Sequence, residues 1–217
     1  MMSDNNVLRI DTNAWQNDFN TPSMVEVKID ILDLVPNTDA VLREKIDNFD
    51  FSNPPVDPNT FASSLVETCR KHNALGLSAN QCGFKHRVFV MGFGDSYVAF
   101  FNPEITKFSE ELTKLEEGCL SFKDLFLNIE RPASIEVTYQ DFTGEWKTSI
   151  FAGLTARCFQ HELDHLNGVC YTEKMKPLAL QLAQKKMLKL TQRRTKLKKN
   201  MIKTVKAKFN AKKFGTN

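Results

Sequence analysis

The chain of 217 residues contains no run of about 18 apolar residues, so no membrane-spanning helix is expected. Its N-terminal stretch lacks the basic start and apolar core of a secretory signal. Asp4, Asp11 and Asp18 oppose the acid-poor pattern of a transit peptide. Cysteines number five, an odd count without framework spacing, which argues against a disulfide scaffold and for reduced thiols in the cytoplasm. Histidines number only four, and none follows His165. The sharpest absence is of acid. Residues 174–217 hold 15 Lys or Arg and no Asp or Glu, leaving 14 basic against 26 acidic residues in the first 173. A body of net charge −12 thus carries a tail of +15, a division that points the tail toward a polyanion.

What is present fits a globular protein: 41% hydrophobic and 25% charged residues, enough to bury one core with an appendage. Residues 1–24 are polar without clear periodicity and predict an irregular lead-in. Val25, Val27, Ile29 and Ile31 alternate with Glu26, Lys28 and Asp30, the period of a strand. Pro54, Pro55 and Pro58 mark a loop, after which Thr60 is expected to cap a helix from about Phe61 to His72. Residues 76–83 read as a loop, and 87–91 and 97–101 as strands around Gly92 and Gly94. Residues 135–139 and 146–150 read as a hairpin turning at 141–144. A helix should follow Gly153 and stop near Gly168, a good C-terminal cap. The tail from about Pro177 to Lys213 is a second helix candidate, with Met187, Leu190, Leu197, Met201 and Val205 forming an apolar stripe that Arg194 interrupts. The class is α+β: antiparallel strands around a central helix, with a basic C-terminal helix.

That central helix bears the sequence Gln160-His161-Glu162-Leu163-Asp164-His165. Histidines four apart share one helical face, one turn from each other, and can grip a single metal ion, with Glu162 beside them as general base. Such a site activates water to attack a carbonyl. By itself the motif is equally a helix that happens to carry two histidines. A protease of this kind would need a third ligand downstream, and no histidine remains there. His72 and His86 lie upstream in an apparent helix end and strand start, suited to surface or core roles. Cys119, in Glu117-Gly118-Cys119-Leu120-Ser121, is the better third ligand; a buried structural thiol is the rival reading. Cys158 and Leu154 precede His161 by three and seven residues, so both should line the metal-facing side of the helix.

Three motifs occur in order: Leu75-Gly76-Leu77-Ser78-Ala79-Asn80-Gln81, then Glu117-Gly118-Cys119-Leu120-Ser121, then Gln160-His161-Glu162-Leu163-Asp164-His165-Leu166. Together they resemble the three signatures of the peptide deformylase family, over roughly residues 31–173, with 25–173 as the catalytic domain and 174–217 as the basic tail. The resemblance implies removal of the formyl group from N-formylmethionyl peptides. It implies Cys119, His161 and His165 as ligands of one divalent ion. Ferrous iron is the expected physiological metal, with zinc or nickel in purified protein. It implies Glu162 as proton carrier, with the Gln81 amide and the Leu120 backbone N–H as donors to the developing oxyanion. Gly76, Leu75, Leu154, Cys158 and Arg131 are the implied substrate contacts. Simple core packing would also explain Leu75 and Leu154, and a solvated strand-end charge would explain Arg131. Asp164 is expected to orient His165 or to pair with an arginine, or else to be a surface carboxylate.

Three departures from the family pattern stand out. Ala74 replaces a usual glycine, Ser78 a usual alanine, and Phe122-Lys123-Asp124 the common proline-glycine continuation, which leaves the shape of the substrate entrance open. The unusual ends resemble phage-encoded members as much as bacterial ones. The expected location is therefore the cytoplasm of a bacterium or of an infected host. Residues 178–217 are expected to meet ribosomal RNA, or to pack an apolar stripe on the acidic body. The rival functions are a His-Glu-x-x-His endopeptidase and a noncatalytic ribosome-binding protein that kept the fold. Oligomeric state is left open.

Overall fold

Val88-Phe89-Val90-Met91 has no polar residue to mark an outer face. A strand of this kind is stable only with both faces covered. The computed structural model describes residues 7–10 and 25–214, with side chains over 29–206, and covers that strand on both sides. Five antiparallel strands form the main sheet, in the order β3 (Gly76–Ser78), β4 (Val88–Phe93), β5 (Ser96–Phe108), β8 (Ser134–Gln140), β9 (Trp146–Ala152). Helix α1 (Pro58–Lys71) lays Phe61, Leu65 and Cys69 on one face, against Leu77, Val88, Val90 and Phe101. Helix α2 (Gly153–Leu166) lays Ala156, Phe159, Leu163 and Leu166 on the other, against Phe89, Met91, Phe100 and Val137. The alternation within β4 thus feeds two cores at once.

A separate hairpin pairs β6 (Leu112–Cys119) with β7 (Phe122–Pro132). The long helix α3 (Pro177–Phe214) starts on its back. Leu180, Ala183 and Met187 pack against Leu125, Leu127, Ile129 and Tyr171. At about 1.5 Å per residue the 38 residues of α3 span about 57 Å. Leu190, Leu197, Met201 and Val205 are exposed, so only the Met187 end of the expected stripe is even partly buried. No helix among the described residues is long and apolar enough to cross a membrane.

Three local expectations change. Helix α1 is capped by Asp57, whose carboxylate accepts from Thr60 N–H at 2.8 Å, because Pro58 opens the helix with its φ already set. The loop expected over 76–83 is a short strand followed by a 3-10 turn at Ala79–Cys82, because Leu77 and Ser78 find pairing partners in Val90 and Phe89. The lead-in falls mostly outside the described residues, but Val7–Ile10 (β1) pairs antiparallel with Val25–Lys28 (β2). Four paired residues set the length of β2, which stops before Ile29 and Ile31.

Candidate metal centre

Helix α2 turns His161 and His165 inward one above the other; they are 7% and 1% exposed. Cys119 arrives from the end of β6, where the pairing register with β7 slips between Glu117 and Cys119. The slip and the turn after it bring the sulfur over the helix. Ligand-capable atoms of Cys119, His161 and His165 all lie within 4.8 Å of one another, and Cys119 Sγ is 3.2 Å from His165 Nε2. One sulfur and two ring nitrogens held tetrahedrally at about 2.0–2.3 Å from a common ion would stand about 3.5 Å apart. The donor set therefore fits a divalent cation with one coordination position to spare.

The surrounding charges favour a cation. His161 Nδ1 meets Glu117 Oε2 at 2.9 Å, which leaves Nε2 to face the sulfur. Arg131 grips Glu117 with Nε at 2.7 Å and a second nitrogen at 2.9 Å, and Arg157 adds a third contact at 2.9 Å. Burial pushes the Glu117 carboxyl up, but the bonds from His161 and Arg131 prevail and hold it well below its usual range. Burial likewise pulls His161 down, yet its bonds to Cys119 and Glu117 raise it to about 10. An ion bound there has to displace that proton, so its affinity should rise with pH. Burial, then the positive charges of His161 and Arg131, push His165 well below its usual value, the neutral form a ligand needs. Asn80 fixes the same turn by donating to His165 O at 2.6 Å.

Glu162 lies against this group, 4% exposed. Burial raises its carboxyl, partly opposed by the His161 charge and by Ser78, whose hydroxyl approaches Oε2 at 2.8 Å. On the other side a Cβ at Gly76 would meet Glu162 Oε1 at 2.6 Å and Cys158 Sγ at 2.8 Å, so only glycine lets β3 run this close to α2. Gln81 links the turn after β3 to the end of β6. Its Oε1 accepts from Ser78 N–H at 2.9 Å, and its Nε2 points to Ser121 Oγ at 3.2 Å and Cys119 Sγ at 3.5 Å.

A cavity of about 610 Å³ opens here, lined by Leu75, Gly76, Leu120, Leu154 and Cys158 together with Cys119, His161 and Glu162. Arg131 is the exception among the expected substrate contacts. It is 4% exposed, off the cavity wall, and committed to Glu117 and, at 2.5 Å, to Asp164 Oδ2. Its guanidinium is turned inward because it continues the inward alternation Leu125, Leu127, Ile129 of β7. Asp164 also meets Lys174 Nζ at 3.1 Å, so its partners are cations rather than His165. The sequence reading missed Arg157, which lines the cavity, and gave Glu117 no role, although the run Glu-Gly-Cys in a strand already placed an acid next to a candidate ligand.

The family model described as polypeptide deformylase matches residues 31–181. The peptide deformylase of Thermotoga petrophila is 43% identical over 124 residues, covering 57% of this chain and 76% of that protein. That of Synechocystis sp. is 40% identical over 131 residues, covering 58% and 70%. The crystal structure of peptide deformylase from Thermotoga maritima superposes with a TM-score of 0.62 at 37% identity, covering 68% of this chain and 99% of that one. One from Synechococcus elongatus in complex with actinonin gives 0.67 at 29% identity, covering 76% and 94%. Family model, relatives and solved structures agree, and the chain belongs to the polypeptide deformylase family.

Proposed function

We propose that this chain hydrolyses the formyl group from the N-terminal formylmethionine of nascent polypeptides, releasing formate. The observation that carries the reading is the group Cys119, His161 and His165, whose Cys119 and His161 line, with Glu162, a cavity with an apolar wall. An ion held by these three residues would act as a Lewis acid and make water a nucleophile near neutral pH. Glu162 takes the proton from the attacking water and later delivers it to the leaving amine. Its buried, upshifted carboxyl suits both transfers. The Gln81 amide and the Leu120 N–H donate to the formyl oxygen as charge develops; each such donor is worth on the order of 10²–10³ in rate. Gly76 offers its carbonyl to the substrate main chain, and Leu75, Leu154 and Cys158 enclose the methionine side chain. Ferrous iron is the proposed physiological ion, on family resemblance. The affinity order of such ligand sets favours zinc or nickel over iron, so iron would be selected by supply.

The rival endopeptidase reading takes its third ligand downstream of the helix, whereas Cys119 lies upstream beside both histidines. Formate release from formyl-Met-Ala by metal-loaded protein tests the proposal. Glu162→Gln should keep its metal and lose nearly all turnover. Normal turnover by that variant, or internal peptide cleavage by the native chain, would sink it.

The tail is proposed to contact ribosomal RNA where nascent chains emerge in the cytoplasm. Its support is the run of 15 basic and no acidic residues over 174–217, on a helix whose distal apolar residues are exposed. Removing all of 178–217 would also strip Leu180, Ala183 and Met187 from the core of β7, so the informative truncation starts at Lys196. That variant should lose salt-sensitive ribosome association and keep full turnover on a formylated dipeptide. Unchanged, salt-insensitive association would remove the RNA role.

A further inference from the structure

Among the described residues, neither β6 nor β7 pairs with a strand of the main sheet. Backbone bonds close the hairpin at its base, where Ala133 N–H donates to Glu111 O at 2.9 Å and Ser109 N–H to Ser134 O at 3.0 Å. Cys119 lies at the other end of β6, about 27 Å from Glu111 along an extended strand. The buried apolar residues of β7, Leu125, Leu127 and Ile129, pack on Tyr171 and the start of α3, apart from the cluster that seats α2 on the main sheet. A two-stranded ribbon twists and bends readily. A swing of about 5° at its base would carry the sulfur about 2 Å, whereas metal–ligand distances tolerate about 0.2 Å. The ligand site therefore needs a tie between this hairpin and α2, which supplies both imidazoles.

We propose that Arg157 is that tie, a positioning residue whose guanidinium clasps both strands of the cysteine-bearing hairpin to the histidine-bearing helix. Arg157 stands on α2 one turn before His161 and is 4% exposed. One terminal nitrogen donates to Glu117 Oε1 and to Ile129 O, each at 2.9 Å. The other donates to Thr113 O at 2.5 Å and approaches Thr113 Oγ1 at 3.1 Å. Thr113 and Glu117 belong to β6 and Ile129 to β7, so one planar group fixes both strands against the helix. Arg131 runs the opposite way, from β7 to Glu117 and to Asp164 of α2, and meets Arg157 on the same carboxylate oxygen. A lysine could not take the place of Arg157, because a single nitrogen on a flexible stem cannot reach acceptors on two strands in a fixed plane. The inference rests on the three-ligand site and not on which bond that site hydrolyses.

The test is cobalt(II) binding to the full chain stripped of metal, followed by the thiolate-to-cobalt absorption that reports the sulfur and by competition with a chelator, with Tm measured on each preparation. Arg157→Met should bind cobalt about 10–100-fold more weakly and, at saturating cobalt, lose most of the thiolate absorption. Arg157→Lys keeps the charge beside Glu117 and threatens folding less. It should shift affinity and spectrum in the same direction, because the clasp and not the charge is missing. Asn102→Ala is the control for stability alone. Asn102 is buried and bonds the Phe49 backbone at 2.6 and 2.9 Å, with no contact to the hairpin of β6 and β7. That variant should melt earlier and keep native cobalt affinity and spectrum. If Arg157→Met does not fold, Arg157→Lys decides. Native affinity and absorption in either folded Arg157 variant, or an equal loss in Asn102→Ala, overturns the assignment. A native chain that binds no cobalt would instead strike the metal site, and this inference with it.

Discussion

Alanine in place of Gly76 would probe the narrow gap between β3 and the catalytic carboxylate. The added methyl would stand 2.6 Å from Glu162 Oε1 and 2.8 Å from both Glu162 Cγ and Cys158 Sγ. Ordinary contacts begin near 3.4 Å, so strand and carboxylate must part by about 0.8 Å. Neither has an easy route. Glu162 is buried with Oε2 at the Ser78 hydroxyl, and Cys158 is fixed on the same helix. Gly76 does not sit in the left-handed region, so alanine meets no backbone penalty and stiffens the unfolded chain by about 0.4–1 kcal/mol. Overpacking costs about 1–3 kcal/mol, which leaves a net loss of about 1–2 kcal/mol. For a chain of this size that lowers Tm by about 2–8 °C. The effect on turnover is larger, because displacing a positioned group by close to 1 Å costs on the order of 10²-fold. The assay is kcat and KM on formyl-Met-Ala, with metal content and Tm measured on the same preparation. The expected outcome is full metal, a Tm lower by a few degrees, and kcat down by about two orders of magnitude. A fully metallated variant with kcat within about two-fold of the native chain would refute the argument that this glycine exists to admit the carboxylate.

Glu117→Gln removes the charge that anchors His161 between Arg131 and Arg157. Metal affinity should fall about 10–100-fold, measured by competition with a chelator, and native affinity would contradict the anchoring role. Because the Glu117 carboxyl is held below its usual 4.5, its contribution to stability is present above that pH and lost as pH falls toward the depressed value; acid unfolding below pH 4.5 should be shallower in the glutamine variant. Glu162 is raised from its usual 4.5 and must be ionised to accept a proton, so the acid limb of kcat/KM should have its midpoint above pH 4.5; a midpoint at or below that value contradicts the assigned base. Leu180→Asp should lower Tm by several degrees by putting a charge against the Tyr171 cluster, whereas Met201→Asp, on the exposed part of α3, should leave Tm unchanged.

What could be read from the sequence was what is local in the chain. His161 and His165 are neighbours because of helix pitch alone, and Cys119 was reached by asking what chemistry a third donor must have. The strands over 88–91, 135–139 and 146–150 and the C-terminal helix were legible from period and turn residues. What stayed hidden depends on distant partners. Glu117 meets Arg131, Arg157 and His161 across 14, 40 and 44 residues, and no local pattern encodes those meetings. Arg131 was assigned to the substrate on family resemblance, with a solvated strand-end charge as the rival, and neither reading anticipates its buried pairing with Glu117 and Asp164. The alternation that turns it inward is present in β7, but the apolar, outward-facing Phe126 masks it. The extent of the tail's packing was equally hidden, since an apolar stripe does not state where its cover ends.

The same contacts decide where the catalytic body stops. A boundary at residue 174 follows the change in charge, yet Lys174 pairs with Asp164, Asp164 with Arg131, Arg131 with Glu117, and Glu117 with the His161 ring. The ion pair of Arg131 and Glu117 is nearly shut from water, so loss of either partner leaves an uncompensated charge beside a ligand. The first turns of α3 cover β7, whose partner strand β6 delivers Cys119. Those turns therefore hold the hairpin that carries the sulfur, and α3 stays in touch with β7 as far as Arg194, 3.6 Å from Asp124, so the segment free to serve another partner begins beyond that residue.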